Sequence, residues 1–187
     1  MRTLLFPGLL ALLITACGGG ASDLPPTDDP AKLAAPEMGA RIRAMEDTLF
    51  AKTVFDRRGA QALLDVYKAF AKAYSTDSMA PEYLFRAAGM SKGLGQPQDA
   101  VQLYDRIIKD YPSWKRNVDV LYMKALTLDD DLDRLGEARL AYQQVINNFP
   151  DHPFARDAKV MMQNLGLTDE ELIAKFKAMQ DSTTAAQ

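Results

Sequence analysis

The chain has 187 residues and a formal net charge of −3, with 25% charged and 48% hydrophobic residues. These proportions are typical of a folded globular protein, and the acidic balance disfavours nucleic-acid binding, which needs a basic face for the phosphates. A single cysteine excludes an intramolecular disulfide, and a single histidine, His152, excludes a histidine cluster for metal.

The first residues have the pattern of an export signal. Arg2 precedes an apolar run from Leu4 to Ile14, and two small residues follow it. This order is typical of a secretory signal peptide, and the run is shorter than the roughly 20 residues that a transmembrane helix needs. We therefore predict a signal peptide over residues 1–16.

The sequence Ile14-Thr15-Ala16-Cys17 resembles the lipobox of bacterial lipoproteins. The resemblance implies that the chain is cut before Cys17 and that Cys17 carries a diacylglycerol and an N-linked acyl chain such as palmitate. Several acyl chains anchor a protein stably where one is marginal. Gly18, rather than Asp, follows the cysteine, which implies an outer-membrane protein that faces the periplasm. A secreted protein with a chance cysteine is the alternative.

Residues 17–36 are predicted to form a disordered tether from the lipidated cysteine. Glycine and proline are frequent there, and no apolar stripe recurs at helical spacing. Such a segment cannot bury enough apolar surface to become ordered. We expect the tether to hold the rest of the chain a few nanometres from the membrane.

Residues 37–181 show helical apolar spacing, and residues 182–187 are predicted to be a disordered tail. Pro81 suits the first turn of a helix, the segment from Gly93 to Pro97 predicts a turn, and Thr168 with Glu171 resembles a capping box. No stretch has the alternation of a strand. The predicted fold class is therefore all-α.

A set of residues recurs 38 positions apart, as from Leu84 to Tyr122. The first copy has Leu84, Ala87, Ala100, Tyr104, Ile108 and Pro112, and the second has Tyr122, Ala125, Ala138, Tyr142, Ile146 and Pro150. A repeat of this length predicts stacked helix pairs. Small residues let two helices approach closely, and the aromatic residue fills the space to the next pair.

The order of small residues, aromatic residue and closing proline resembles the tetratricopeptide repeat. The resemblance covers roughly residues 58–165, with a degenerate copy before the two clear ones, and implies a right-handed α-solenoid of about eight antiparallel helices. The chain departs from the family at Leu126, where a small residue is usual, and at Ser91 and Asp129, where an aromatic is usual. The four residues in excess of the family's 34-residue period follow Pro112.

The layout also resembles small tetratricopeptide lipoproteins of the Bacteroidetes type. More distantly, it is similar to the tetratricopeptide lipoprotein of the outer-membrane β-barrel assembly machine and to the Tol–Pal coordinator protein. These resemblances imply a place in the cell envelope without naming a partner.

The sequence contains only weak matches to catalytic or metal-binding motifs. The acids from Asp129 to Asp133 begin like a calcium loop, but Arg134 and Leu140 stand where glycine and glutamate are required, so a solvated turn is the preferred interpretation. His152 lies in a turn and is interpreted as a helix-start residue. We predict no catalytic residues, no metal site and no cofactor.

We therefore predict a non-enzymatic, lipid-anchored adaptor that binds an envelope protein or peptide and no nucleic acid. By position in the family, the first helices supply the partner-binding residues, which are Glu82, Phe85, Gly89, Lys92, Val120, Met123, Thr127 and Asp130. The pattern leaves open whether Phe85 and Met123 are exposed anchors or lie buried under a neighbouring helix. The alternative function is an accessory or weak hydrolase that acts on peptidoglycan.

Overall fold

The structure is a computed structural model that describes residues 33–185. Helices account for most of this part of the chain, and it contains no strand. The helices are α1 Ala35–Phe50, α2 Arg57–Ala73, α3 Ala80–Gly93, α4 Pro97–Asp110, α5 Asn117–Leu126, α6 Leu135–Asn148, α7 Pro153–Asn164 and α8 Asp169–Ala185. The predicted signal peptide and the predicted tether up to residue 32 lie outside the described residues.

Each helix from α1 to α7 packs mainly on the helices that precede and follow it in the chain. This sequential packing is the arrangement of a solenoid, so the predicted all-α solenoid is confirmed. α8 joins the end of α7 through Lys175, whose Nζ donates to the carbonyl of Gln163 at 3.3 Å and to Oδ1 of Asn164 at 2.7 Å.

The buried side chains form two apolar clusters, one centred on α1 to α4 and the other on α5 to α7. At their boundary, each cluster includes one residue from a helix of the other. Val120 of α5 belongs to the first cluster, and Val101 of α4 belongs to the second. The repeats are therefore joined by a continuous apolar interface.

The helix pairs meet through alanines, as the repeat predicts. Ala87, Ala100, Ala125 and Ala138 are all fully buried. Tyr67, Tyr104 and Tyr142 lie at equivalent places on α2, α4 and α6 and are the largest fully buried side chains among the described residues. Tyr67 on α2 is therefore buried like the tyrosines of the two clear repeats.

Both ends of the helical body extend beyond the predicted bounds. α1 begins at Ala35 rather than at residue 37, because Leu33 and Ala35 pack on the first cluster and the Leu33 carbonyl accepts a hydrogen bond from the Tyr74 hydroxyl. α8 continues to Ala185, past the predicted end at 181. No glycine or proline follows Gly166 to stop this helix.

The connection from α5 to α6 is a single π-helical turn, Thr127–Asp131. Two residues after the turn, Asp133 has φ of 51°, a conformation that Asp tolerates better than most residues. The amide of Arg134 then donates to the Leu128 carbonyl at 2.7 Å.

Between residues 33 and 185, no helix combines the length and the apolar character that crossing a bilayer requires.

Candidate functional site

A groove of about 450 Å³ lies between α1 and α3. Tyr67 of α2 forms its buried floor, and α1 and α3 supply the walls. We call this site the α1–α3 groove, and its lining residues are Glu46, Phe50, Tyr67, Arg86, Gly89, Met90 and Gly93.

Two glycines leave the α3 side of the groove without side chains. Gly89 and Gly93 are one helical turn apart and exposed, and a Cβ atom placed on either would meet nothing within 4 Å. Packing against the rest of the molecule therefore does not require glycine at these positions, although glycine costs about 1 kcal/mol relative to alanine inside a helix. The space above both residues is free for a ligand.

Arg86 is the polar centre of the groove. Its Nη1 lies 2.7 Å from Glu46 Oε1, and its Nε lies 2.9 Å from Glu82 Oε1. The same Glu46 oxygen accepts a hydrogen bond of 2.6 Å from the Tyr67 hydroxyl. Partial burial and the hydrogen bond to Glu46 both raise the pKa of Tyr67, so the hydroxyl keeps its proton and remains a donor. Glu46 and Glu82 thus orient the Arg86 side chain without a ligand.

Glu82 continues the ion pairs from Arg86 towards the second repeat. Its Oε2 lies 2.9 Å from Nη1 of Arg116, and Arg116 also pairs with Asp119 at 3.7 Å. Burial alone would raise the pKa of Glu82, but hydrogen bonds from Arg86 and Arg116 outweigh it and hold that pKa below its ordinary value. Glu82 is therefore ionised near neutral pH.

Two of the four extra residues after Pro112, Trp114 and Arg116, cover Phe85. Trp114 meets the Phe85 ring edge-on with centroids 6.0 Å apart, and the Arg116 guanidinium lies 4.4 Å from the centre of that ring. Phe85 is consequently only partly exposed. The structure does not show it as an exposed partner anchor.

The other predicted binding residues divide between the surface and the core. Asp130 is exposed, and Lys92 forms an ion pair of 2.8 Å with Asp131. Val120 and Thr127 are fully buried, which corrects their placement on an open surface. Val120 packs into the cluster of the first repeat, and the Thr127 hydroxyl donates to the Met123 carbonyl at 2.8 Å.

Met123 is partly buried against the first cluster. Of the two placements that the sequence left open for Phe85 and Met123, the structure therefore favours contact with neighbouring elements. Of the predicted set, only Gly89 lines the α1–α3 groove.

Sequence reasoning missed the contribution of α1. Glu46 and Phe50 line the groove, but the predicted binding face used only the two clear repeats. The degenerate copy at Tyr67 was a usable signal, because it implies a first helix before it whose exposed face continues that of α3. Arg86, Met90 and Gly93 were missed because their positions lie beside those that the family resemblance selected.

Among the residues that the structure describes, the acids do not form a recognisable catalytic pair. Glu82 has a lowered pKa, whereas a general acid needs a raised one. Burial raises the pKa of Asp129, but this carboxylate accepts a hydrogen bond from the Tyr142 hydroxyl at 3.2 Å and does not line the groove. Within the described residues, no three acidic, histidine or cysteine side chains are grouped to hold a metal ion.

The family model of the tetratricopeptide repeat matches residues 82–113 and 119–152. Over these residues the chain is similar to the tetratricopeptide repeat. The first matched repeat corresponds to α3 and α4, and the second corresponds to α5 and α6. A comparison with curated proteins gives no match.

Tetratricopeptide folds are typically scaffolds that bind other proteins without catalysing a reaction, and the repeats suggest a protein partner here. The α1–α3 groove lies between the helix pair α1–α2 and the first matched tetratricopeptide repeat. First helices therefore line both of its walls.

Proposed function

We propose that the protein is a lipid-anchored adaptor of the bacterial cell envelope that binds an extended segment of a partner protein in the α1–α3 groove. The observation that carries this proposal is the groove itself, in which free space above Gly89 and Gly93 lies beside the apolar side chains of Phe50 and Met90. An apolar groove with a few oriented polar groups is suited to holding a polypeptide.

Arg86 gives the groove a means of orienting that segment. The Arg86 side chain is 41% exposed while its guanidinium pairs with Glu46 and Glu82. Because these carboxylates fix its direction, its remaining donors can bond a peptide carbonyl or carboxylate with little loss of side-chain freedom. Phe50, which is 67% exposed, would lose water-accessible apolar surface on binding.

The envelope location rests on the N-terminal sequence. The lipobox resemblance at Cys17, together with Gly18 after it, supports an acylated protein in the outer membrane that faces the periplasm. Envelope or outer-membrane assembly is the process that this placement favours. The alternative of a peptidoglycan hydrolase has less support, because Glu46, the acid that lines the groove, is already engaged by Arg86 and by the Tyr67 hydroxyl.

The groove is tested by filling it. Gly89→Arg puts a long side chain into space where a Cβ has no neighbour within 4 Å, and Gly136→Arg does the same on α6, outside the groove. We expect Gly89→Arg to abolish in-cell crosslinking to the partner, identified by mass spectrometry, while Gly136→Arg retains it. Equal crosslinking by both variants, with unchanged melting temperatures, would place the binding surface elsewhere.

The anchor is tested independently by labelling cells with a palmitate analogue. We expect the label to enter the wild-type chain and to be absent from Cys17→Ser, which should leave the membrane fraction. Equal labelling and membrane retention of the two chains would show that Cys17 is not the acylated residue.

A further inference from the structure

The segment that joins α1 to α2 carries exposed apolar and basic side chains. We call residues 50–58 the aromatic loop. Phe50, Val54 and Phe55 are 67%, 77% and 61% exposed, and Arg57 and Arg58 are exposed beside them. Single exposed apolar residues are ordinary, but a cluster of them marks an interaction site. Val54 and Phe55 do not line the α1–α3 groove, so the proposed function leaves them without a role.

The charge of this region is opposite to that of the whole chain. Residues 50–58 contain three basic side chains and one acidic side chain, whereas the chain as a whole carries a net charge of −3. Lys52 pairs with Asp56, and Arg57 donates from Nη2 to the Leu94 carbonyl at 2.9 Å. The aromatic loop is therefore a basic end of an acidic molecule, and this charge complements an anionic surface.

A cleft of about 340 Å³ between α1 and α2 borders the aromatic loop at Lys52 and Asp56. Met45 and Leu49 line it and are only partly buried. The apolar surface thus continues from Val54 and Phe55 along the outer side of α1. Apolar side chains with Lys and Arg around them are the composition of segments that lie in the interface of a membrane.

The distance to the proposed anchor permits contact with the bilayer. Fifteen residues lie between Cys17 and Leu33, and a fully extended chain of that length reaches about 50 Å. α1 has 16 residues and is about 24 Å long. The tether therefore exceeds the distance from the start of α1 to the aromatic loop at its other end.

We propose that the aromatic loop docks on an anionic lipid surface, with Val54 and Phe55 inserted among the acyl chains and Arg58 at the headgroups. This inference rests on the lipid anchor of the proposed function. The anchor holds the loop near the bilayer, so a weak interaction is sufficient to dock it. Each basic side chain near an anionic surface contributes about fivefold to binding. Docking would fix which way the α1–α3 groove faces.

The test uses the lipidated protein in vesicles of phosphatidylethanolamine and phosphatidylglycerol. Cys17 is the only cysteine, so Val54→Cys supplies one free thiol for a fluorescent label. Leu140→Cys is the matched control, because Leu140 is 66% exposed and lies on α6. We expect a lipid-borne quencher to quench the label at position 54 and aqueous iodide to quench the label at position 140.

We expect vesicles of phosphatidylcholine, or the added change Arg58→Glu, to weaken lipid quenching at position 54 about fivefold or more. Equal iodide quenching at both positions would overturn the docking. Shielding of the label at position 54 from iodide without lipid quenching would also overturn the docking, because it would indicate contact with protein or a second copy.

Mass spectrometry of Cys17 reports separately whether the lipid anchor is present. An unmodified cysteine overturns the anchor and the docking together, whereas a lipidated chain with an aqueous label overturns the docking alone.

Discussion

Glu82 links the groove to the second repeat, because its two oxygens pair with arginines from different parts of the chain. Arg86 lies on the same helix, and Arg116 precedes α5. Arg116 in turn lies over the Phe85 ring. One carboxylate therefore fixes both the groove arginine and the residue that covers Phe85.

Glu82 predicts a specific pH dependence of stability. Its pKa is lowered from 4.5 in the folded protein, so its stabilising contribution is fully present above that value and is lost as pH falls through the folded pKa. We expect Glu82→Gln to be less stable than the wild type at neutral pH and the difference to close below pH 4.5. Urea unfolding at several pH values measures this. A difference that does not change with pH would contradict the ion-pair argument.

Substitution by alanine should change the free energy of unfolding in opposite directions at Gly89 and Gly95. Gly89→Ala should raise the free energy of unfolding by about 1 kcal/mol, because alanine favours the helix and its Cβ meets nothing within 4 Å. Gly95→Ala should lower it by about 1 kcal/mol, because Gly95 has φ of 76°. Urea unfolding of both variants checks the signs. Destabilisation by Gly89→Ala would mean that the α3 face of the groove is already occupied.

At the scale of helices, close contact through alanine determines how each pair packs. Ala100 of α4 and Ala138 of α6 are fully buried at equivalent places in the two repeats. Trp114 and Arg116 come from the insertion between those repeats and make contacts that the 34-residue family pattern has no residues to form. The insertion thus makes Phe85 part of an internal contact.

Ala100→Trp and Ala138→Trp should each destabilise the protein by about 1–3 kcal/mol or more, because a ring overpacks a close helix contact. Gln102→Trp is the control, since Gln102 is exposed on the same helix as Ala100. Thermal melting followed by circular dichroism separates the three. A melting temperature that Ala100→Trp leaves unchanged would mean that the close contact lies elsewhere.

For the whole molecule, the sequence predicted the features that periodic burial determines and missed those that depend on long-range contacts. Ala100, Tyr104 and their counterparts in the second repeat could be predicted because each repeat buries the same positions. The pairing of Arg86 with Glu46 spans 40 residues, so it depends on how α1 sits against α3, which local spacing does not specify. The burial of Val120 depends likewise on how the second repeat stacks on the first.

The central claim is that a protein partner lies in the α1–α3 groove, and site-specific photocrosslinking in cells tests it most directly. A benzophenone amino acid at Met90 lies in the groove, whereas the same residue at Gln102 lies on the exposed side of α4. We predict a protein adduct from position 90 that Gly89→Arg abolishes, and no such adduct from position 102. Adducts of equal yield from both positions, or none from position 90 in a chain that is folded and lipidated, would contradict the account.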